Sequence, residues 1–135
     1  MKKRNGWLKW LGLGLCLWSF PVMAAGSLGY VLQQAMVTNI PEKALVCFAD
    51  EVEISIMGKS VLCSSSHAVE VLRQFLDKHP VSSCQILHKG KKQSAGFYIM
   101  SIVSETQKQF RVYALERIEQ SENLIRQFRI DEVIE

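Results

Sequence analysis

Metal-binding spacings are missing from this sequence: its four cysteines and three histidines form no CxxC, HxH or HExxH arrangement, so a metal site has no motif to rest on. No complete acid and base constellation is visible either, and no cofactor is expected. Basic charge is scarce once its location is considered. Of 16 Lys and Arg, four (Lys2, Lys3, Arg4 and Lys9) fall in the first 25 positions, leaving 12 against 13 Asp and Glu, a formal −1 for the rest of the chain. The short run Lys89, Lys91 and Lys92 after His88 reads as a solvated turn, and nucleic acid is not expected as a partner.

What is present begins with an export signal. The basic N-terminus precedes an apolar run from Trp10 to Phe20, and Val22-Met23-Ala24 supplies small residues for cleavage after Ala24. The reading is a signal peptide over 1–24 and one domain over 25–135, exported to the periplasm or secreted. The rivals are an uncleaved anchor over Trp7 to Ala25, the one route to a membrane, and lipidation at Cys16, where the preceding Leu15 fits poorly. Cys47, Cys63 and Cys84 remain after cleavage. An odd count at long spacings among apolar neighbours favours buried thiols over a structural disulfide, although one pair plus a free thiol is also compatible.

The remaining chain alternates helix and strand signals. Leu28, Val31, Leu32, Ala35 and Met36 recur at helical spacing, predicting a helix over 27–38. Pro41 and Glu42 suit the first turn of a short second helix through Phe48, with Ala44, Leu45 and Phe48 inward. Val52, Ile54 and Ile56 alternate with polar residues, Gly58-Lys59 offers a turn, and Ser60 to Cys63 resume an extended course. Ser64 to Ser66 offer an N-cap to a third helix beginning near His67, with Ala68, Val69, Leu72, Phe75 and Leu76 on one stripe, and Pro80 ends it.

Strands follow over 84–90, 95–104, 107–118 and 123–131. The strand from Ala95 to Ser104 is apolar on both faces, so one side is expected on the helices and the other under a second subunit, a ligand or curved sheet. The order predicts an α+β fold with the helices on one face of an antiparallel sheet.

Several segments carry a resemblance. Val52-Glu53-Ile54-Ser55-Ile56 with Gly58-Lys59, Phe75 to Pro80, Ile86 to Gly90, Phe110-Arg111-Val112-Tyr113 and Leu124 to Ile130 resemble a family of small secreted bacterial proteins of unknown function in the nuclear transport factor 2-like superfamily. The resemblance implies a cone, with three N-terminal helices packed on a strongly curved antiparallel sheet around a pocket, often dimerised through the sheet's outer face. The superfamily includes isomerases and dehydratases with a His, Asp or Tyr in an apolar pocket, as well as binding modules without catalysis.

Two functional readings result. The preferred one is an exported, non-catalytic module that binds a small apolar or anionic ligand or a protein, as a homodimer through the sheet. The alternative is a cofactor-free lyase or isomerase using His88 with Tyr98 or Tyr113, a base and hydroxyl donors for a developing enolate. Arg111, Arg129 and Phe97 are the candidates for ligand binding, because arginine forks hold carboxylate or phosphate. In a hairpin turning at Gln120-Ser121, Arg111 falls opposite Ile130 and shares a face with Arg126, while Arg129 falls on the other face with Phe110 and Val112. A one-residue change reverses that grouping. Glu116 and Glu132 are then expected as outer-face partners of these arginines.

Overall fold

The computed structural model describes residues 28–119 and 122–134; the predicted export signal lies outside them. Helix α1 spans Leu28–Val37, a 3-10 helix Pro41–Cys47 and helix α2 Ser65–Lys78. Strands β1 (Phe48–Ile56), β2 (Lys59–Ser64), β3 (Val81–Lys92), β4 (Ala95–Ser104), β5 (Gln109–Glu119) and β6 (Glu122–Glu132) form one six-stranded sheet in the order β2-β1-β6-β5-β4-β3. No described helix is long and apolar enough to cross a membrane.

The expected all-antiparallel sheet is corrected at one seam. β1 runs parallel to β6, with Ile54 beside Phe128 and Ile56 beside Ile130, while the other neighbours are antiparallel. The physical reason is the chain path: β1 leaves the sheet through the β1–β2 hairpin and α2, so the last strand returns beside it rather than by a tight turn. The short second helix also ends earlier than expected. Phe48 opens β1 with its ring edge-on to Phe128 at 5.7 Å, and Ala44 and Cys47 are buried while Leu45 faces solvent.

Local chemistry sets the element ends. Ser64 Oγ accepts a hydrogen bond from the His67 N–H at 3.3 Å, so the first serine of the three is the α2 N-cap. The β1–β2 turn is Met57-Gly58, one position before the expected one, with φ of 53° and 84°. Positive φ at both central residues suits the twist of a two-residue hairpin. Asn39 stops α1 with φ 57° and accepts from the Val81 N–H (2.8 Å) while its Nδ2 donates to the Val81 carbonyl (3.1 Å). Asn39→Ala should therefore cost about 2–3 kcal/mol, from two lost hydrogen bonds and left-handed backbone without an amide side chain. Asn39→Gly, which keeps only the backbone freedom, separates the two terms in a urea titration.

The core lies between the helices and the inner sheet face. Leu32, Met36, Leu72, Met100, Ile102, Phe110, Val112, Ile125, Phe128 and Ile130 are fully buried there. Close-packed burial of this kind is the main stabilising term. Cys47, Cys63 and Cys84 are free, the first and last buried.

Candidate functional site on the outer sheet face

Period-two alternation sends one set of side chains away from the helices. Register then assembles them into rows across four strands. Ile99 lies beside Tyr113, Tyr113 beside Arg129 and Arg129 beside Ser55; the next row is Phe97, Leu115, Gln127 and Glu53. These residues line a groove of about 650 Å³ together with Asp131 and Ser60. Phe97 and Tyr113 remain 38% and 40% exposed within it. Arg129 Nε lies 2.5 Å from Asp131 Oδ2, and its guanidinium sits 5.6 Å from the centre of the Tyr113 ring. The groove thus pairs an aromatic floor with a cation already held in orientation.

The ligand candidates Arg111, Arg129 and Phe97 all belong to this outer face, which corrects the predicted separation of the two arginines. Glu119 opposes Glu122 as expected, but the register moves by one between Leu115 and Glu116. Leu115 opposes Gln127 whereas Glu116 opposes Ile125, leaving Arg126 as the extra residue of a bulge. Beyond the bulge Arg111 opposes Asp131 rather than Ile130. Arg111 Nε is buried and has no hydrogen-bond partner among the described residues.

His88, Tyr98 and Tyr113 are not brought together. His88 is exposed on the edge strand β3, 5.7 Å from the Phe97 ring, and Tyr113 shares that outer face. Tyr98 points the other way, following the parity of buried Met100 and Ile102, and its hydroxyl donates to Glu116 Oε1 at 2.7 Å. Tyr98 is on the opposite face from His88, and Tyr113, on the same face, stands two strands away with Ile99 between them in the row, so His88 has neither hydroxyl beside it.

Glu116 is the residue the outer-face expectation misplaced. It is 3% exposed, inside the fold, because it continues the inward parity of Phe110, Val112 and Ala114. That alternation is legible in the sequence and was the signal available. A Cβ on Gly96 would come 3.2 Å from Glu116 Oε1, and one on Gly29 would come 2.5 Å from the Tyr98 ring, so two glycines leave room for this pair. Among the described residues no group of three His, Cys, Asp or Glu could hold a metal.

A helix layer on one face of a curved six-stranded sheet is the arrangement of nuclear transport factor 2-like proteins. A protein of that description from Shewanella baltica, of unknown function, superposes with a TM-score of 0.63 at 7% identity, covering 80% of this chain and 90% of its own. The sequence places the chain more narrowly: residues 33–131 match the model of a domain of unknown function, DUF4783, and the chain belongs to that family. Crystal structures of DUF4783 family proteins from Bacteroides uniformis and Bacteroides ovatus are similar to it. The first has a TM-score of 0.75 at 26% identity, covering 81% of this chain and all of its own. The second has a TM-score of 0.72 at 25% identity, covering 78% and 94%. No curated protein matches the sequence.

Proposed function

We propose that the protein is an exported, non-catalytic binding module whose working surface is the outer sheet face, covered by a second copy of the chain. The observation that carries this is the pair Phe97 and Tyr113, large rings left more than a third exposed at the centre of a face flanked by both charge signs. Arg111 and Arg129, with Asp131 beside them, lie toward one end of the face and Glu53 toward the other, which gives a two-fold interface the means to match cation with anion. Ile99 and Leu115, half-buried beside the rings, extend the apolar area that such an interface needs. In this reading the helices and bent sheet form a closed cone packed by its own aromatics, and the module works from outside. Export rests on the basic N-terminus, the apolar run and the small residues at Val22 and Ala24, and predicts a periplasmic or secreted form beginning at Ala25, read by intact mass.

The lyase or isomerase alternative needs His88 beside Tyr98 or Tyr113; Tyr98 faces the other side of the sheet and Ile99 stands between His88 and Tyr113, so it gains no support. Sedimentation of the purified protein tests the dimer. The expected result is a dimer at micromolar concentration that Phe97→Glu with Tyr113→Glu converts to a folded monomer. A wild-type protein that is monomeric into the high micromolar range, or a charged variant that stays dimeric, overturns the reading.

A further inference from the structure

A second cleft lies between α2 and the tip of the β1–β2 hairpin, meeting the outer groove at Ser60, which lines both. Val71, Gln74, Phe75 and Lys78 follow one another at helical spacing along one side of α2 and line it. Ile56, Met57 and Val61 line it from the hairpin, giving a cleft of about 670 Å³. That volume lies within the range of small-molecule sites.

Both walls are fixed without a ligand. The Met57 N–H donates to the Ile130 carbonyl at 2.8 Å, tying the hairpin tip to β6. On the other wall Leu72, Phe75 and Leu76 anchor α2 in the core, and the Phe75 ring stands edge-on to Phe110 at 5.0 Å. The α2 terminus is closed by the His79 N–H bonded to the Phe75 carbonyl at 2.9 Å. The gap is therefore preformed, and Met57 and Val61 on its hairpin wall are apolar groups left more than a third exposed.

Charge at the rim selects the occupant. Lys59 reaches the cleft from the hairpin and Lys78 from the helix, while Asp77 is the single carboxylate among the lining residues. Lys78 also offsets the negative end of the α2 dipole. His79, at the inner end, is held below its ordinary pKa by burial first, then by Lys108 and Lys78, with Glu132 opposing, so it adds little positive charge near neutrality. An apolar floor between two ammonium groups suits a molecule with an apolar body and one anionic head.

We propose that this cleft binds a single-headed amphiphilic carboxylate, its chain over Phe75 and Val71 and its head between Lys59 and Lys78. Lys59, Lys78, Val71 and Phe75 line this cleft and not the outer groove, so the proposal stands or falls independently of the dimer.

The test is calorimetric titration of the purified protein with decanoate and with decanol, both below their aggregation limits. Saturable decanoate binding at one site per chain is expected, with decanol about tenfold weaker. Lys59→Gln with Lys78→Gln should bring decanoate down to the decanol level. Val71→Trp, which fills the cleft, should abolish both, and Val61→Glu at the exposed strand position serves if the tryptophan variant does not fold. Phe97→Glu should leave binding unchanged. Absence of saturable decanoate binding, equal affinity for decanol, binding that survives the cleft variants, or loss in Phe97→Glu would each overturn the proposal.

Discussion

Replacing Phe110 with alanine should lower the unfolding free energy by about 3–5 kcal/mol, the range for removing a buried ring from a close-packed core. Phe110 is fully buried on β5, beside Ile102 of β4 in the sheet register. Its ring meets Phe75 edge-on at 5.0 Å and His79 at 4.9 Å, so it joins the sheet to the C-terminal half of α2. Deleting it removes transfer free energy and also leaves a void that the sheet, fixed by its ladders, cannot close. Against a total of about 5–15 kcal/mol for a domain, the loss would be about a fifth or more of the stability. Urea titration measures it. Phe110→Leu should cost less because it keeps part of the volume, and a loss below about 1 kcal/mol for the alanine variant would show that the ring cluster does not anchor α2.

The elements whose signals are local were legible in the sequence. The α2 stripe, its serine cap and Pro80 fixed a helix within two residues of the observed Ser65–Lys78, and the doubly apolar strand is β4 over Ala95–Ser104 as expected. Features that depend on a distant partner were not. Nothing near Phe48 announces that β1 begins there, since its extended backbone is held by β6, more than seventy residues later in the chain, at Ile125. The bulge at Arg126 was equally hidden: Leu124-Ile125-Arg126-Gln127-Phe128 carries no glycine or other bulge marker. Its effect on the candidate site is large, because a slip of one residue exchanges the two faces of a strand. Without it Arg129 would fall among Phe110 and Val112, and burying an unpaired guanidinium there would be costly. Hydrophobic parity alone contains that constraint, and it is the same parity that takes Glu116 inside.

High pH should destabilise the fold through two buried thiols. Burial raises the Cys47 pKa to about 12 and that of Cys84 to about 11, against 9.0 for the free group. Both side chains sit in the apolar core, Cys84 with its Sγ 4.0 Å from Met100 Sδ, where a thiolate would be poorly solvated. The unfolded chain ionises these thiols from pH 9 upward while the folded chain keeps them protonated. Folded pKa values above the unfolded value mean that the contribution is fully present below pH 9, and it is lost as pH rises towards 11 for Cys84 and 12 for Cys47. At pH 10.5 linkage gives about 2 kcal/mol from each, or about 4 kcal/mol together. The measurement is the difference in urea stability between pH 8 and pH 10.5, compared with a Cys47→Ala, Cys84→Ala variant. That comparison removes the alkaline titration of tyrosine and lysine, which both proteins share, as well as the packing cost of the substitutions, which is present at both pH values. The variant should lose about 4 kcal/mol less than the wild type across the interval. An identical loss in both would show that the two thiols are not desolvated in the folded protein. Cys63, half-buried on the short edge strand, should alkylate in the native state at pH 8 while Cys47 and Cys84 wait for unfolding, because only an accessible thiolate reacts.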